Sequence, residues 1–108
     1  MTAVKVFAEY KVKEEMRGQY LEKVSHLSLA MEKIGVTNFF VYEGVDQPNL
    51  FVEMFHVPSV EAYRKLKRKR CEEKAEGGVF WQSINDCIDG GSEKLHMWAF
   101  TPVTRSEG

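Results

Sequence analysis

The spacing of hydrophobic residues changes along this chain, and the order of the changes limits the folds that it can adopt. Residues 3–12 alternate with a period of two, which predicts a β-strand. One face of this strand carries Val4, Val6, Ala8, Tyr10 and Val12. From Met16 to Ile34 the apolar residues instead recur at steps of three and four, which predicts an amphipathic helix that ends at Gly35.

The next segment has the composition of a β-hairpin. Val36–Gly44 and Leu50–Val57 are rich in aromatic and β-branched residues, as strands are. Residues 46–49 read Asp-Gln-Pro-Asn, which is typical of a turn. The two runs therefore predict a pair of antiparallel strands.

The last third of the chain predicts an interrupted helix and a final strand. Ser59 is placed to cap the N-terminus of the helix, and Gly77-Gly78 interrupts it. A helical spacing resumes from Val79 to Ile88, and Lys94–Thr101 alternates again. The complete order is strand, helix, strand, strand, helix, strand.

This order is that of the ferredoxin-like motif. It predicts one α+β domain over residues 1–103, in which both helices cover one face of a four-stranded antiparallel sheet, followed by a polar tail at residues 104–108. Bulky apolar residues are also expected on the second face of the sheet. They are Phe7, Phe39, Phe51, Phe55, Trp98 and Phe100. A monomer would expose this face to water, so the sequence predicts a homodimer packed sheet against sheet as an α/β barrel.

Charge argues against a nucleic-acid partner. The 108 residues include 15 Lys+Arg and 16 Asp+Glu, for a formal net charge of -1. The segment Arg64–Arg70 is strongly basic, but Glu72 and Glu73 follow at helical spacing, so we expect a solvated, salt-bridged helix face. RNA-recognition domains share this element order, yet residues 51–54, Phe-Val-Glu-Met, lack the signature of their third strand.

The positions of the cysteines and histidines indicate which disulfide, metal and cofactor sites are to be expected. Cys71 and Cys87 form neither a disulfide framework nor a CxxC motif, so a reduced, cytoplasmic protein is expected. His26, His56 and His96 fall on three different elements without ligand spacing, so we predict no metal and no cofactor. No run of apolar residues approaches the roughly 20 that span a bilayer.

Polar residues on the predicted strands are the candidates for chemistry. They are Glu9, Asn38, Tyr42, Glu53, His56 and His96. Burial of an unpaired ionisable group costs free energy. Each of these side chains must therefore lie at a solvent-exposed edge of the sheet, be paired, or line a pocket.

Several short segments carry a resemblance to a known family. Residues 80–88 read Phe-Trp-Gln-Ser-Ile-Asn-Asp-Cys-Ile, with Trp81 and Asp86 in the pattern Trp-Trp-x-x-Met-x-Asp-x-Met. The other matches are Tyr20, the Asn38-x-x-x-Tyr42 pair, Asn49-Leu50-Phe51 and Trp98-Ala99-Phe100. On these residues the chain resembles the dimeric α/β-barrel superfamily, and within it the L-rhamnose mutarotase family.

The resemblance implies a ligand pocket between the sheet and the helices that takes a small molecule such as a sugar. Its binding residues would be Tyr20, Asn38, Tyr42 and Trp81, and its catalytic candidates Tyr20, Glu53, His56 and His96. The family's acid/base histidine would stand one turn after Tyr20, where this chain has Val24, which can neither donate nor accept a proton. Two alternatives stay open: a cofactor-independent monooxygenase of the antibiotic-biosynthesis type, and a non-catalytic binding or structural dimer.

Overall fold

The computed structural model describes residues 3–71, 75–76 and 79–103, with residues 75–76 and 79–80 described through their backbone alone. These described residues form six strands and three α-helices. They are β1 (Val4–Lys11), α1 (Arg17–Lys33), β2 (Thr37–Glu43), β3 (Leu50–Val57), α2 (Val60–Cys71), β4 (Ala75–Glu76), β5 (Val79–Phe80), α3 (Trp81–Asn85) and β6 (His96–Phe100). Short 3-10 turns at Glu14–Met16 and Gly91–Lys94 precede α1 and β6.

The main sheet has four strands in the order β2-β3-β1-β6, all paired antiparallel. Helices α1 and α2 pack on one face of this sheet, and the core lies between the two layers. The predicted α+β, ferredoxin-like architecture is confirmed. No helix in the described part of the chain is long and apolar enough to cross a membrane.

Local signals in the sequence set the bounds of the two long helices. Gly35 follows α1 with a φ of 93°, a left-handed conformation that glycine adopts without strain. The Ser59 hydroxyl accepts a hydrogen bond of 3.0 Å from the backbone N–H of Ala62, so it caps α2 as predicted.

The predicted helix over Val79–Ile88 is wrong at both ends, since α3 spans only Trp81–Asn85. The backbone of Val79–Phe80 is the strand β5, paired with β4 in a separate two-stranded sheet, and helix α3 begins only at Trp81. Valine and phenylalanine favour extended backbone, which explains the difference at the start of the helix. The predicted ion pairs to Glu72 and Glu73 lie outside the described residues.

The uncovered face of the sheet carries a row of apolar side chains; Phe7, Trp98 and Phe100 lie on it as predicted, whereas Phe39, Phe51 and Phe55 do not. Phe51 and Phe55 are buried on the helix side, and Phe39 packs against Phe55 with ring centroids 5.8 Å apart. Phe40, Met54, Phe7 and Trp98 instead form one row across all four strands, each opposite its neighbour in register. We call this surface the open face; Phe40 and Trp98 on it are 56% and 46% exposed.

A bulge in β2 explains which aromatic residues point outward. Thr37 pairs with His56 and Phe40 with Met54, so β2 has one more residue than β3 over this interval. Asn38 accommodates the extra residue with a left-handed φ of 53°, which asparagine tolerates better than most residues. The bulge turns Phe39 toward the helices and leaves Phe40 on the open face.

One ion pair ties the start of α1 to the hairpin. An Arg17 guanidinium N–H donates to the Glu43 carboxylate at 2.8 Å, and a second donates to the Asn49 side-chain oxygen at 2.8 Å. The backbone N–H of Asn49 also donates to Glu43, at 2.7 Å. The Arg17 hydrogen bonds, followed by this backbone bond, lower the pKa of Glu43 from its ordinary 4.5 to about 2.

This lowered pKa makes a pH-dependent contribution to stability. Protonation of Glu43 weakens its bonds to Arg17, so the contribution is complete above about pH 4.5 and is lost as the pH falls toward 2. We expect Glu43→Gln to lower the melting temperature at pH 7, and the gap to the wild-type chain to close on acidification. Thermal unfolding from pH 2 to 7 checks this, and a gap independent of pH would contradict it.

Candidate functional site

A buried ion pair joins the sheet to α2. The Arg70 guanidinium donates two hydrogen bonds to the two carboxylate oxygens of Glu53, each of 2.7 Å. Both side chains are 0% exposed. A charged pair removed from water is stable only when its geometry and remaining hydrogen bonds are good, and the two parallel bonds meet that condition.

Two tyrosines extend this pair toward α1. The Tyr10 hydroxyl donates to Glu53, so the 2.7 Å bond between Tyr10 and Tyr20 has the Tyr20 hydroxyl as its donor. Burial, and next the negative charge of Glu53, raise the pKa of both phenols above their ordinary 10. Both tyrosines therefore stay protonated at physiological pH and act as hydrogen-bond donors.

Helix α3 completes the group of side chains around Arg70. The Trp81 ring lies 4.9 Å from the centre of the guanidinium, close enough for a cation–π interaction, and Trp81 is fully buried. The Asn85 side-chain amide donates to the backbone carbonyl of Arg70 at 3.3 Å. We name Tyr10, Tyr20, Glu53, Arg70, Trp81 and Asn85 the polar core.

Three buried atoms of the polar core have no hydrogen-bond partner among the described residues. They are Arg70 Nε, Trp81 Nε1 and Asn85 Oδ1, two donors and one acceptor. An unsatisfied buried polar group costs about 1–3 kcal/mol, and native proteins seldom tolerate it without an ordered water or bound molecule. These atoms mark the polar core as the candidate binding site.

Glu53 and Arg70 meet because each side chain lies on the side of its own element that faces the core. Glu53 lies between Phe51 and Phe55 on the same face of β3, so it points into the core. Arg70 follows Leu66 by four residues, which places it on the buried side of α2.

The predicted solvated helix face is therefore wrong for Arg70. The spacing from Leu66 was the signal that could have identified it. The neighbouring basic residues favoured the interpretation of a solvated helix face instead.

The structure divides the predicted site residues between the two faces of the sheet. Tyr20, Glu53 and Trp81 meet in the polar core. Tyr42 does not, because it pairs with Val52, the neighbour of inward-facing Glu53, and so lies on the open face. The predicted convergence of Tyr20, Tyr42 and Trp81 on one cavity is wrong for Tyr42.

Asn38 and the two strand histidines also lie away from the polar core. Asn38 contacts His56 on the open face at 3.4 Å. His96 is exposed and stacks on Trp98, with ring centroids 6.1 Å apart. The described residues contain no group of three metal-ligating side chains.

Known proteins resemble this chain in structure rather than in sequence. No protein-family model and no curated protein matches it. A candidate antibiotic biosynthesis monooxygenase from Caulobacter crescentus is 9% identical, with a TM-score of 0.71 over 95% of this chain and 92% of that one. Its counterpart from Nitrosomonas europaea is 13% identical, with a TM-score of 0.69 over 94% and 90%. A NIPSNAP family protein from Agrobacterium tumefaciens is 14% identical, with a TM-score of 0.66 over 96% and 89%.

Identities this low establish the fold alone. The chain shares the ferredoxin-like fold of the monooxygenase-like proteins, and these comparisons give no support to the resemblance to sugar mutarotases. Val24, at the position of the mutarotase histidine, is a half-buried residue packed against the core.

The polar core makes a specific prediction about stability. Arg70→Met should destabilise the chain by about 3–5 kcal/mol, because it leaves the Glu53 carboxylate buried without its partner. The double variant Glu53→Met with Arg70→Met should recover most of this loss, since no charge then remains buried.

Urea denaturation of the two variants measures this coupling. Arg68→Met, an exposed arginine on the same helix, serves as the matched control and should change the free energy of unfolding by less than about 0.5 kcal/mol. Equal effects of Arg70→Met and Arg68→Met would contradict the buried pair.

Proposed function

We propose that this chain is a homodimeric, monooxygenase-like enzyme that binds a planar aromatic molecule through a carbonyl or phenolic oxygen. The observation that carries the proposal is the pair of N–H donors in the polar core, Arg70 Nε and Trp81 Nε1, which have no hydrogen-bond partner among the described residues. The fold shared with the candidate monooxygenases supports the reaction class. The ligand oxygen follows from the chemistry of the donors, and the aromatic ring is part of the proposed reaction.

An oxygen atom of a ligand suits these donors because it can accept a hydrogen bond from each. The Arg70 guanidinium adds a positive charge, which stabilises negative charge that develops on that oxygen. The Asn85 side-chain oxygen is unpartnered and can accept a hydrogen bond from a hydroxyl group. Glu53 remains bound to Arg70 and Tyr10, so we assign it to holding the guanidinium in place.

The proposed reaction converts an activated aromatic methylene group to a carbonyl. One methylene group and one molecule of dioxygen give one carbonyl group and one molecule of water, so the methylene carbon is oxidised and dioxygen is reduced. One oxygen atom enters the product, and the other leaves as water with the two methylene hydrogens. The role of Arg70 and Trp81 is to stabilise the enolate oxygen that forms when the methylene group loses a proton.

Oxygen consumption with 1,8-dihydroxyanthrone tests the activity. We expect the wild-type chain to accelerate oxygen uptake above the rate in buffer. Trp81→Phe keeps the buried ring but removes its N–H, so it should lower the accelerated rate about 100-fold, the loss typical of one missing donor. Trp98→Phe, the same substitution on the open face, should leave the rate unchanged. No acceleration, or equal losses in both variants, would contradict the proposal.

The homodimer is proposed to form through the open face. Phe7 lies in the middle of the row that also holds Phe40, Met54 and Trp98, and its ring packs on Phe100 with centroids 5.4 Å apart. An apolar surface that crosses the full width of a sheet is typical of a protein–protein interface. A second copy of the chain offers a matching surface, as two-fold symmetry requires.

Sedimentation velocity at micromolar concentration tests this dimer. The wild-type chain should sediment as a dimer and Phe7→Glu as a folded monomer, because a carboxylate at the centre of the interface would be buried without a partner. Val45→Glu, at a turn residue that is 97% exposed, is the control and should remain dimeric. A monomeric wild-type chain would contradict the proposal.

A further inference from the structure

We propose that a groove between the C-terminal end of α1 and α2 binds a single-chain amphipathic carboxylate, such as a medium-length fatty acid. The groove has a volume of about 330 Å³, within the range of about 300–1,000 Å³ typical of small-molecule sites. It is lined by Ile34, Val36, Val57, Pro58, Ala62, Lys65 and Leu66. The inference does not depend on the proposed oxygenase activity.

The floor of the groove is apolar. Val36, Val57 and Leu66 are only 3%, 4% and 5% exposed. Ile34 and Ala62 form the half-buried walls, at the end of α1 and on α2 respectively. Such a surface gains free energy by burying a hydrocarbon chain.

Lys65 gives the groove its preference for a negative charge. Among the described residues that line the groove, it alone carries a charge. Its ammonium forms no ion pair among the described residues, although Glu61 lies one helical turn before it. A lysine can lay its methylene chain along an apolar wall while its ammonium stays at the rim, where it can bind a carboxylate.

The other cations of α2 outside the polar core, of which Lys69 is half-buried, strengthen this preference. Arg64, Lys67, Arg68 and Lys69 form no ion pair within the described part of the chain. Their combined positive potential attracts an anion to this side of the molecule. Apart from Arg70, the basic segment Arg64–Arg70 has no role in the proposed oxygenase reaction, and binding of an anionic ligand gives it one. The apolar floor favours an amphipathic acid over a polyphosphate, which has no hydrocarbon to bury.

Titration of the 15N-labelled chain with decanoate, below its critical micelle concentration, tests the proposal. We expect chemical-shift changes at the backbone amides of Val36, Val57, Ala62 and Leu66. The affinity should rise about fourfold for each methylene added between hexanoate and decanoate, as burial of hydrocarbon predicts. 1-Decanol, which lacks the charge, should bind more weakly at the same residues.

Three variants test whether binding depends on the groove and Lys65 or on the overall positive charge of α2. Lys65→Met should reduce the affinity for decanoate to that for decanol and leave the affinity for decanol unchanged. Lys67→Met removes a cation that lies over the Tyr63 ring and should leave the preference for the carboxylate intact. Ala62→Phe should abolish binding of both ligands by filling the groove, and its own amide spectrum reports whether it is folded.

Other binding patterns would overturn the proposal. Shifts confined to Phe7 and Trp98 would assign the ligand to the open face instead. Equal losses in Lys65→Met and Lys67→Met would reduce the effect to non-specific charge. Binding of anionic vesicles or oligonucleotides, without any decanoate-induced shift in the groove, would assign the helix to a macromolecular partner.

Discussion

The buried ion pair between Glu53 and Arg70 is the interaction on which the remaining structure depends. It joins the sheet to α2, and the hydrogen bonds of Tyr10 and Tyr20 extend it to β1 and α1. Trp81 packs on the same guanidinium, so α3 is positioned by it as well. Because neither charge can remain buried alone, the relative placement of these elements is far more restricted than apolar packing alone would require.

The two faces of the sheet differ in composition for a simple geometric reason. Successive residues of a strand point to opposite sides, so one strand can supply both a polar core and an apolar surface. In β3, Glu53 points toward the helices while Met54 points to the open face. The polar core therefore lies on one side of the sheet and the row of apolar side chains on the other.

Much of the fold could be predicted from local patterns, whereas the site could be predicted only in part. The strand alternation, the α1 stop at Gly35 and the Ser59 cap are set by neighbours in sequence, and each was predictable. Tyr20, Glu53 and Trp81 were predicted as candidates and do meet in space. Arg70 was not predicted as a site residue, because it belongs to a segment of basic residues that was expected to be solvated. Tyr42 was misplaced because the choice of face depends on its pairing with Val52.

The sequence by itself determined the order of the four main strands and two long helices, the end of α1 at Gly35 and the start of α2 after Ser59. These properties depend on residues at most four or five positions apart. The tertiary structure alone decided the composition of the polar core, because Tyr10 and Glu53 are 43 positions apart and Glu53 and Arg70 are 17 apart. Periodicity indicates which side of its own element a residue occupies, but the partner across the core is decided only when the layers pack.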